Sequence, residues 1–150
     1  MKIQLATASD AADIATLSRT AIEHGLPWRW TPGRVAASIT DRATNVVVAR
    51  DGPVLIGFGI MKYHDEAAHL LLFAVARTHR RRGLGTQLLR WLEKVALAAG
   101  LQRIGLEARA ANAEALAFYR RHGYVERALV PGMYLGVDDG VRLDKPLLDG

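Results

Sequence analysis

Apolar and polar positions along the chain change period repeatedly, and each change marks an element. Ile3-Gln4-Leu5-Ala6 reads as a short strand. Thr7, Ser9 or Asp10 offers a helix cap before Ile14, Leu17 and Ile22 at helical spacing, and Gly25 and Pro27 stop that helix. After the aromatic loop Leu26-Pro27-Trp28-Arg29-Trp30, Thr31-Pro32 supplies an N-cap and a first-turn proline, which predicts a second helix to about Thr40. Asn45 to Arg50 and Val54 to Lys62 flank Asp51-Gly52-Pro53, the pattern of a hairpin. Residues 63–66 turn the chain again, and His69 to Ala76 is a nearly unbroken apolar run, as in a strand covered on both faces near the centre of a sheet.

Leu84, Leu88, Trp91, Leu92, Val95 and Ala99 return to helical spacing and end at Gly100, a good helix C-terminus. Arg103 to Ala108 is another strand. Asn112 can cap a helix through Leu116, Phe118 and Tyr119, with Arg120, Arg121 and His122 at its negative end and Gly123 to stop it. Two last strands, about Tyr124 to Val130 and Val141 to Pro146, enclose a loop holding Pro131-Gly132 and Asp138-Asp139-Gly140. The predicted order is β-α-α-β-β-β-α-β-α-β-β, an α/β fold of the α+β type with helices flanking a mixed, largely antiparallel sheet.

Composition narrows the classes without choosing a function. At 150 residues, without repeats or low-complexity tracts, one domain spanning 1–150 is expected. The absence of cysteine excludes a disulfide framework, a thiolate zinc site and a cysteine nucleophile. No secretory leader pattern opens the sequence and no apolar run suits a membrane span, so a cytoplasmic protein is expected. Residues 1–75 hold seven Lys/Arg against seven Asp/Glu, and residues 76–150 hold thirteen against eight, so the +5 excess belongs to the second half. That excess suits a nucleic acid, an anionic membrane surface or a phosphate-rich small ligand.

Arg80-Arg81-Arg82-Gly83-Leu84-Gly85 stands between a strand and a helix. Unpaired backbone N–H groups, a positive helix end and arginines then meet at one point, which makes an anion site. Taken alone, the segment equally describes a solvated basic turn. It lacks the Lys-Ser/Thr of a Walker loop, and Leu88 takes the third-glycine position of a dinucleotide fingerprint. In context it is more specific. Phe73-Ala74-Val75, a four-residue gap, then Arg80-x-x-Gly83-x-Gly85 and a helix resembles the acetyl-CoA motif of the Gcn5-related N-acetyltransferase (GNAT) superfamily. Leu106-Glu107-Ala108-Arg109-x-x-Asn112-x-x-Ala115-x-x-Phe118-Tyr119-x-x-x-Gly123-Tyr124 resembles that superfamily's later strand–helix–strand segment.

The resemblance implies an acyltransferase that uses acetyl-CoA as co-substrate, needs no metal, and acetylates a primary amine by direct attack in a ternary complex. It makes the backbone of Phe73, Ala74 and Val75 the partner of pantetheine, Arg80 and Arg81 to Thr86 (with Arg82, Gly83, Leu84 and Gly85) the pyrophosphate cradle, Asn112 a pantetheine contact and Tyr119 the general acid. Glu107 is the candidate base, directly or through water; Glu66 and His69 are rivals, and an ion pair of Glu107 with Arg103 or Arg109 is the structural alternative. A looser resemblance to ribosomal-protein N-terminal alanine acetyltransferases rests on Glu107, Glu23, Pro27-Trp28 and residues 133–147, with Met133 where a second tyrosine is expected. The acceptor is then a small molecule or a peptide N-terminus. Trp28 and Trp30 either wall its pocket or pack the loop on the sheet. Pairing through the C-terminal strands, common in the family, implies a homodimer as one option. A non-catalytic CoA-binding regulatory domain keeps the same fold. A nucleic-acid-binding module is disfavoured, because the arginines occupy the loop that CoA needs.

Overall fold

Seven strands and four helices follow one another in the predicted order in the computed structural model, which describes residues 2–147. They are β1 (Lys2–Leu5), α1 (Ala11–Ala21), α2 (Pro32–Thr40), β2 (Thr44–Asp51), β3 (Val54–Tyr63), β4 (Ala67–Val75), α3 (Leu84–Ala98), β5 (Arg103–Arg109), α4 (Ala113–Arg121), β6 (Val125–Tyr134) and β7 (Asp138–Pro146). Local chemistry sets most boundaries. Thr31 accepts a hydrogen bond from the Arg34 amide and Pro32 fills the first turn of α2; Gly100, with φ +85°, ends the run after α3. Asp51 pairs with Val54 across Gly52-Pro53, so β2 and β3 form the hairpin that the turn residues predict.

The strands make one sheet in the order β1-β2-β3-β4-β5-β7-β6, and β4 with β5 is its one parallel pair. Helices α1 and α2 bury Ile14, Ala15 and Val35 against Val46, Val48, Phe58 and Ile60 on one face. Helices α3 and α4 bury Leu88, Leu89, Leu92, Leu116 and Tyr119 against Ile104, Leu106 and Leu143 on the other. Close approach of α3 depends on Gly57 and Gly59, where an added Cβ would stand 2.8 Å from Leu88 Cδ1 and Leu92 Cδ1.

The apolar run of β4 serves both cores because the strand changes face partway along. Ile60 pairs with Leu72 and Met61 with Leu70, so Leu71 is a bulged residue. Before the bulge Ala68 and Leu70 face α3; after it Leu72 and Ala74 face α1, while Phe73 and Val75 turn to the α3–α4 side.

The C-terminal hairpin differs from expectation. Pro131-Gly132 and Asp138-Asp139-Gly140 lie within β6 and β7, and only residues 135–137 turn the chain. Proline is tolerated there because the ladder is interrupted between Val130 and Tyr134, so no N–H is required of it.

Candidate active site

The parallel pair opens where the bulge lies. Ladder pairing of β4 with β5 runs from Ala67↔Arg103 to Leu70↔Leu106 and stops, although β4 continues to Val75 and β5 to Arg109. Residues 71–75 of β4 therefore present an edge without a partner on the β5 side, and Phe73, Ala74 and Val75 are on it. A bulge bends its strand and increases local twist, which accounts for the parting at Leu71. Aromatic rings wedge the α4 side: Phe73 stacks on Phe118 at 5.8 Å and meets Tyr119 edge-on at 6.4 Å.

The arginine-rich segment lies at the C-terminal end of β4, as its place in the sequence predicts. Arg80 Nε donates to the Val75 carbonyl at 3.1 Å, fastening the loop to the strand. Arg81 and Arg82 are exposed, and Arg81 adopts φ +64°. Gly83 is the N-cap of α3 with φ +80° and makes no side-chain cap, so the first amides of α3 stay open to an external acceptor. The two glycines have different reasons. Gly83 supplies the left-handed conformation, whereas a Cβ on Gly85 would stand 3.2 Å from Phe118 Cε1. Leu84 turns its side chain into the core and has only its backbone to offer a ligand. Thr86 Oγ1 lies 2.9 Å from His122 Nε2, while His122 Nδ1 is 2.8 Å from the Phe118 carbonyl, so the start of α3 is tied to the end of α4. Asn112 is the N-cap of α4, where its Oδ1 accepts from the Ala115 amide at 3.1 Å.

Tyr119 is 7% exposed, and burial, with Tyr134 close by, pushes its phenol well above the ordinary value of 10. It is thus a neutral hydroxyl across the working range of pH. Glu107 pairs with neither Arg103 nor Arg109. Its Oε1 lies 2.8 Å from His69 Nε2, so two candidate bases form one hydrogen-bonded pair across β4 and β5. Glu66 is exposed in the turn before β4, at the far end of the strand from the opening.

Tyr134, which the sequence places in the C-terminal hairpin without a role at the site, is also coupled to these groups. Burial raises its phenol, and the Glu107 charge raises it further while Arg109 opposes. Tyr119 and Glu107 both lie within electrostatic reach of it. Met133 lies instead against Gly140, where an added Cβ would clash with its side chain. The break in the β6 ladder between Val130 and Tyr134 decides which of the two neighbours faces the site, and nothing in residue type announces it. Arg109 spans the same region: its guanidinium lies 5.7 Å from the Tyr134 ring, and Nη1 donates to the His24 carbonyl at 3.0 Å.

The loop between α1 and α2 is held from within. Glu23, 7% exposed, accepts from the Arg29 amide at 2.7 Å, the Trp30 amide at 3.1 Å and the Ser18 hydroxyl at 3.0 Å. Trp28 Nε1 donates to the Ala15 carbonyl at 3.2 Å, and Trp30 is buried in the α1–α2 core under the Arg34 guanidinium. Both tryptophans pack the loop.

A sheet parted between its one parallel pair, with an uncapped basic helix end at one side and a buried phenol at the other, defines a class, and comparison with known proteins agrees with it. The sequence profile of the acetyltransferase (GNAT) family matches residues 13–124. The chain belongs to this family. It is 37% identical over 96 residues to an uncharacterized N-acetyltransferase of Methanocaldococcus jannaschii, covering 63% of this chain and 61% of that protein. The chain thus spans less than two thirds of that relative's length. It is 30% identical over 115 residues to the [ribosomal protein bS18]-alanine N-acetyltransferase of Escherichia coli K12, covering 77% of this chain and 76% of that protein. The crystal structure of the ribosomal-protein-S18-alanine N-acetyltransferase from Escherichia coli superposes with a TM-score of 0.86 at 24% identity, covering 99% of this chain and 96% of the other.

Proposed function

We propose that this protein transfers the acetyl group of acetyl-CoA to a primary amine, of a small molecule or a protein N-terminus, by direct attack in a ternary complex. The observation that carries the reading is the parting of β4 from β5 beyond Leu70 and Leu106, with the His69–Glu107 pair next to the opening and Tyr119 packed edge-on against Phe73. The residues present fit the co-substrate. Open amides at the start of α3, flanked by Arg81 and Arg82, suit a pyrophosphate, and the edge of Phe73, Ala74 and Val75 that β5 leaves free, apart from the Val75 carbonyl held by Arg80, suits the amides of a pantetheine arm. Asn112 stands across the opening at the start of α4, its amide nitrogen directed by the cap that its oxygen makes. Bound acetyl-CoA supplies an activated acyl carbon.

The chain's own groups then handle protons. Glu107, supported by His69, takes the proton that the acceptor ammonium must lose before its nitrogen can attack. Tyr119 holds its proton until sulfur departs as a thiolate, a stronger base in this dry setting than in water.

Acetyl-CoA should raise the melting temperature; at ~100 times its dissociation constant the gain is about 2.7 kcal/mol. Incubation with a panel of amines and N-terminal peptides should add one acetyl group to an acceptor, read by mass spectrometry. Neither binding nor transfer in that panel would overturn the reading; binding without transfer would leave a CoA-binding regulatory domain.

A further inference from the structure

Helices α1 and α2 cover the sheet only as far as β4, so on that side β5 and β7 are left open. A groove runs over them from the His69–Glu107 pair, lined by side chains that the proton-transfer chemistry does not use. Cross-strand register orders its walls. His69 lies opposite Gly105, which lies opposite Asp144, and Glu107 lies opposite Arg142. Gly105 leaves the floor low: an added Cβ there would meet nothing closer than the Leu143 carbonyl at 3.8 Å.

The charges along this groove do not balance. Its two carboxylates are both engaged, Glu107 by His69 at 2.8 Å and Asp144 by Arg127 Nε at 2.9 Å. Arg103 and Arg142 line the same groove, are exposed, and make no ion pair among the described residues. Arg109 follows Glu107 on the same face of β5, and its Nη2 is a buried donor without an acceptor. Three guanidiniums with unused donors therefore line the approach to Glu107, Arg109 and Arg142 near it and Arg103 farther along. Arg142 is one strand away, about 4.8 Å between backbones, and Arg103 is about 13 Å down the strand.

Resting on the acetyl-transfer reading above, we propose that the groove selects acceptor amines bearing a carboxylate or similar anion a few bonds from the reacting nitrogen. A planar guanidinium binds a carboxylate by paired hydrogen bonds, and a cationic acceptor meets uncompensated like charge. A small amino dicarboxylate and a peptide with an acidic residue next to its terminal amine share this chemistry.

The test is acetylation of peptides matched except for Asp, Asn or Lys in the second position, with aspartate and glutamate as small-molecule arms. The acidic acceptor should exceed the lysine one in kcat/KM by about tenfold or more, mostly through KM, with the gap narrowing as salt is added. Arg142→Glu should reverse the order, and Arg103→Glu, at an exposed site at the groove's far end, should weaken it. Circular dichroism checks that both variants are folded; if Arg142→Glu is not, the Arg103 variant and the salt series decide. Preference for the peptides over the free amino acids identifies a protein terminus as the source of the anion, and the reverse a metabolite. Equal kcat/KM for Asp and Lys acceptors, or an order unmoved by both variants, would overturn this inference alone. Acetyl-CoA binding with no acetylation of any amine would overturn the transfer reading and this inference with it.

Discussion

The proposed acid and base, Tyr119 and Glu107, stand in contrasting surroundings. Burial raises the Tyr119 phenol so that it keeps its proton, while the half-buried Glu107 carboxylate is hydrogen-bonded to His69. Tyr119→Phe should lower kcat by about 10²–10³-fold, measured with saturating acetyl-CoA, and leave the CoA dissociation constant within about twofold. Unchanged turnover would remove Tyr119 as the acid. Glu23 plays a different part, because its carboxylate holds two amides and a hydroxyl of the α1–α2 loop. Glu23→Ala should cost about 1–3 kcal/mol for each buried group left unpaired, read by urea denaturation. It should also raise KM for the acceptor, since the loop it holds receives the Arg109 guanidinium at His24.

At the scale of the element, the start of α3 carries two separate demands on glycine. Gly83→Ala should destabilise the fold by about 1–2 kcal/mol, because an L side chain resists φ +80°, and should weaken CoA binding in calorimetry by displacing the open amides. Gly85→Ala acts through packing. Its Cβ would press on Phe118 at 3.2 Å, so the expected result is a shifted α4 and lower turnover, with a stability loss of about 1–3 kcal/mol. In β4 the bulge at Leu71 is the device that parts the sheet. Period counting could not find it, since an unbroken apolar run hides the point where the strand changes face.

The whole molecule sets the pH range of stability. Tyr119 and Tyr124 are both buried, and burial followed by the Glu93 charge raises the Tyr124 phenol above 10. Tyr124 donates to Glu93 Oε2 at 2.8 Å, and Lys145 Nζ approaches the same carboxylate at 3.1 Å. Below pH 10 both states keep these protons and the contribution is complete. Above it the unfolded chain releases protons that the folded chain retains, so stability should fall by about 1.4 kcal/mol per pH unit for each phenol until its folded pKa is reached. Urea midpoints from pH 8 to 11 check this, and Tyr124→Phe should flatten the decline.

Element order, the β2–β3 hairpin, the caps of α2 and α3 and the position of the arginine loop were all legible in the sequence. Each is governed by contacts within a few residues, where cap chemistry, turn residues and hydrophobic period act directly. The pairing of His69 with Glu107, thirty-eight positions apart, was not legible, because it depends on which strands become neighbours and in what register. Nor was the choice of Tyr134 over Met133, which a ladder irregularity decides. The sequence by itself determined a mixed sheet flanked by helices and an arginine-glycine loop between its central strand and α3. Only the tertiary structure parted β4 from β5, brought His69 against Glu107, and left the arginines of β5 and β7 on an open face, since long-range register and burial settle those relations.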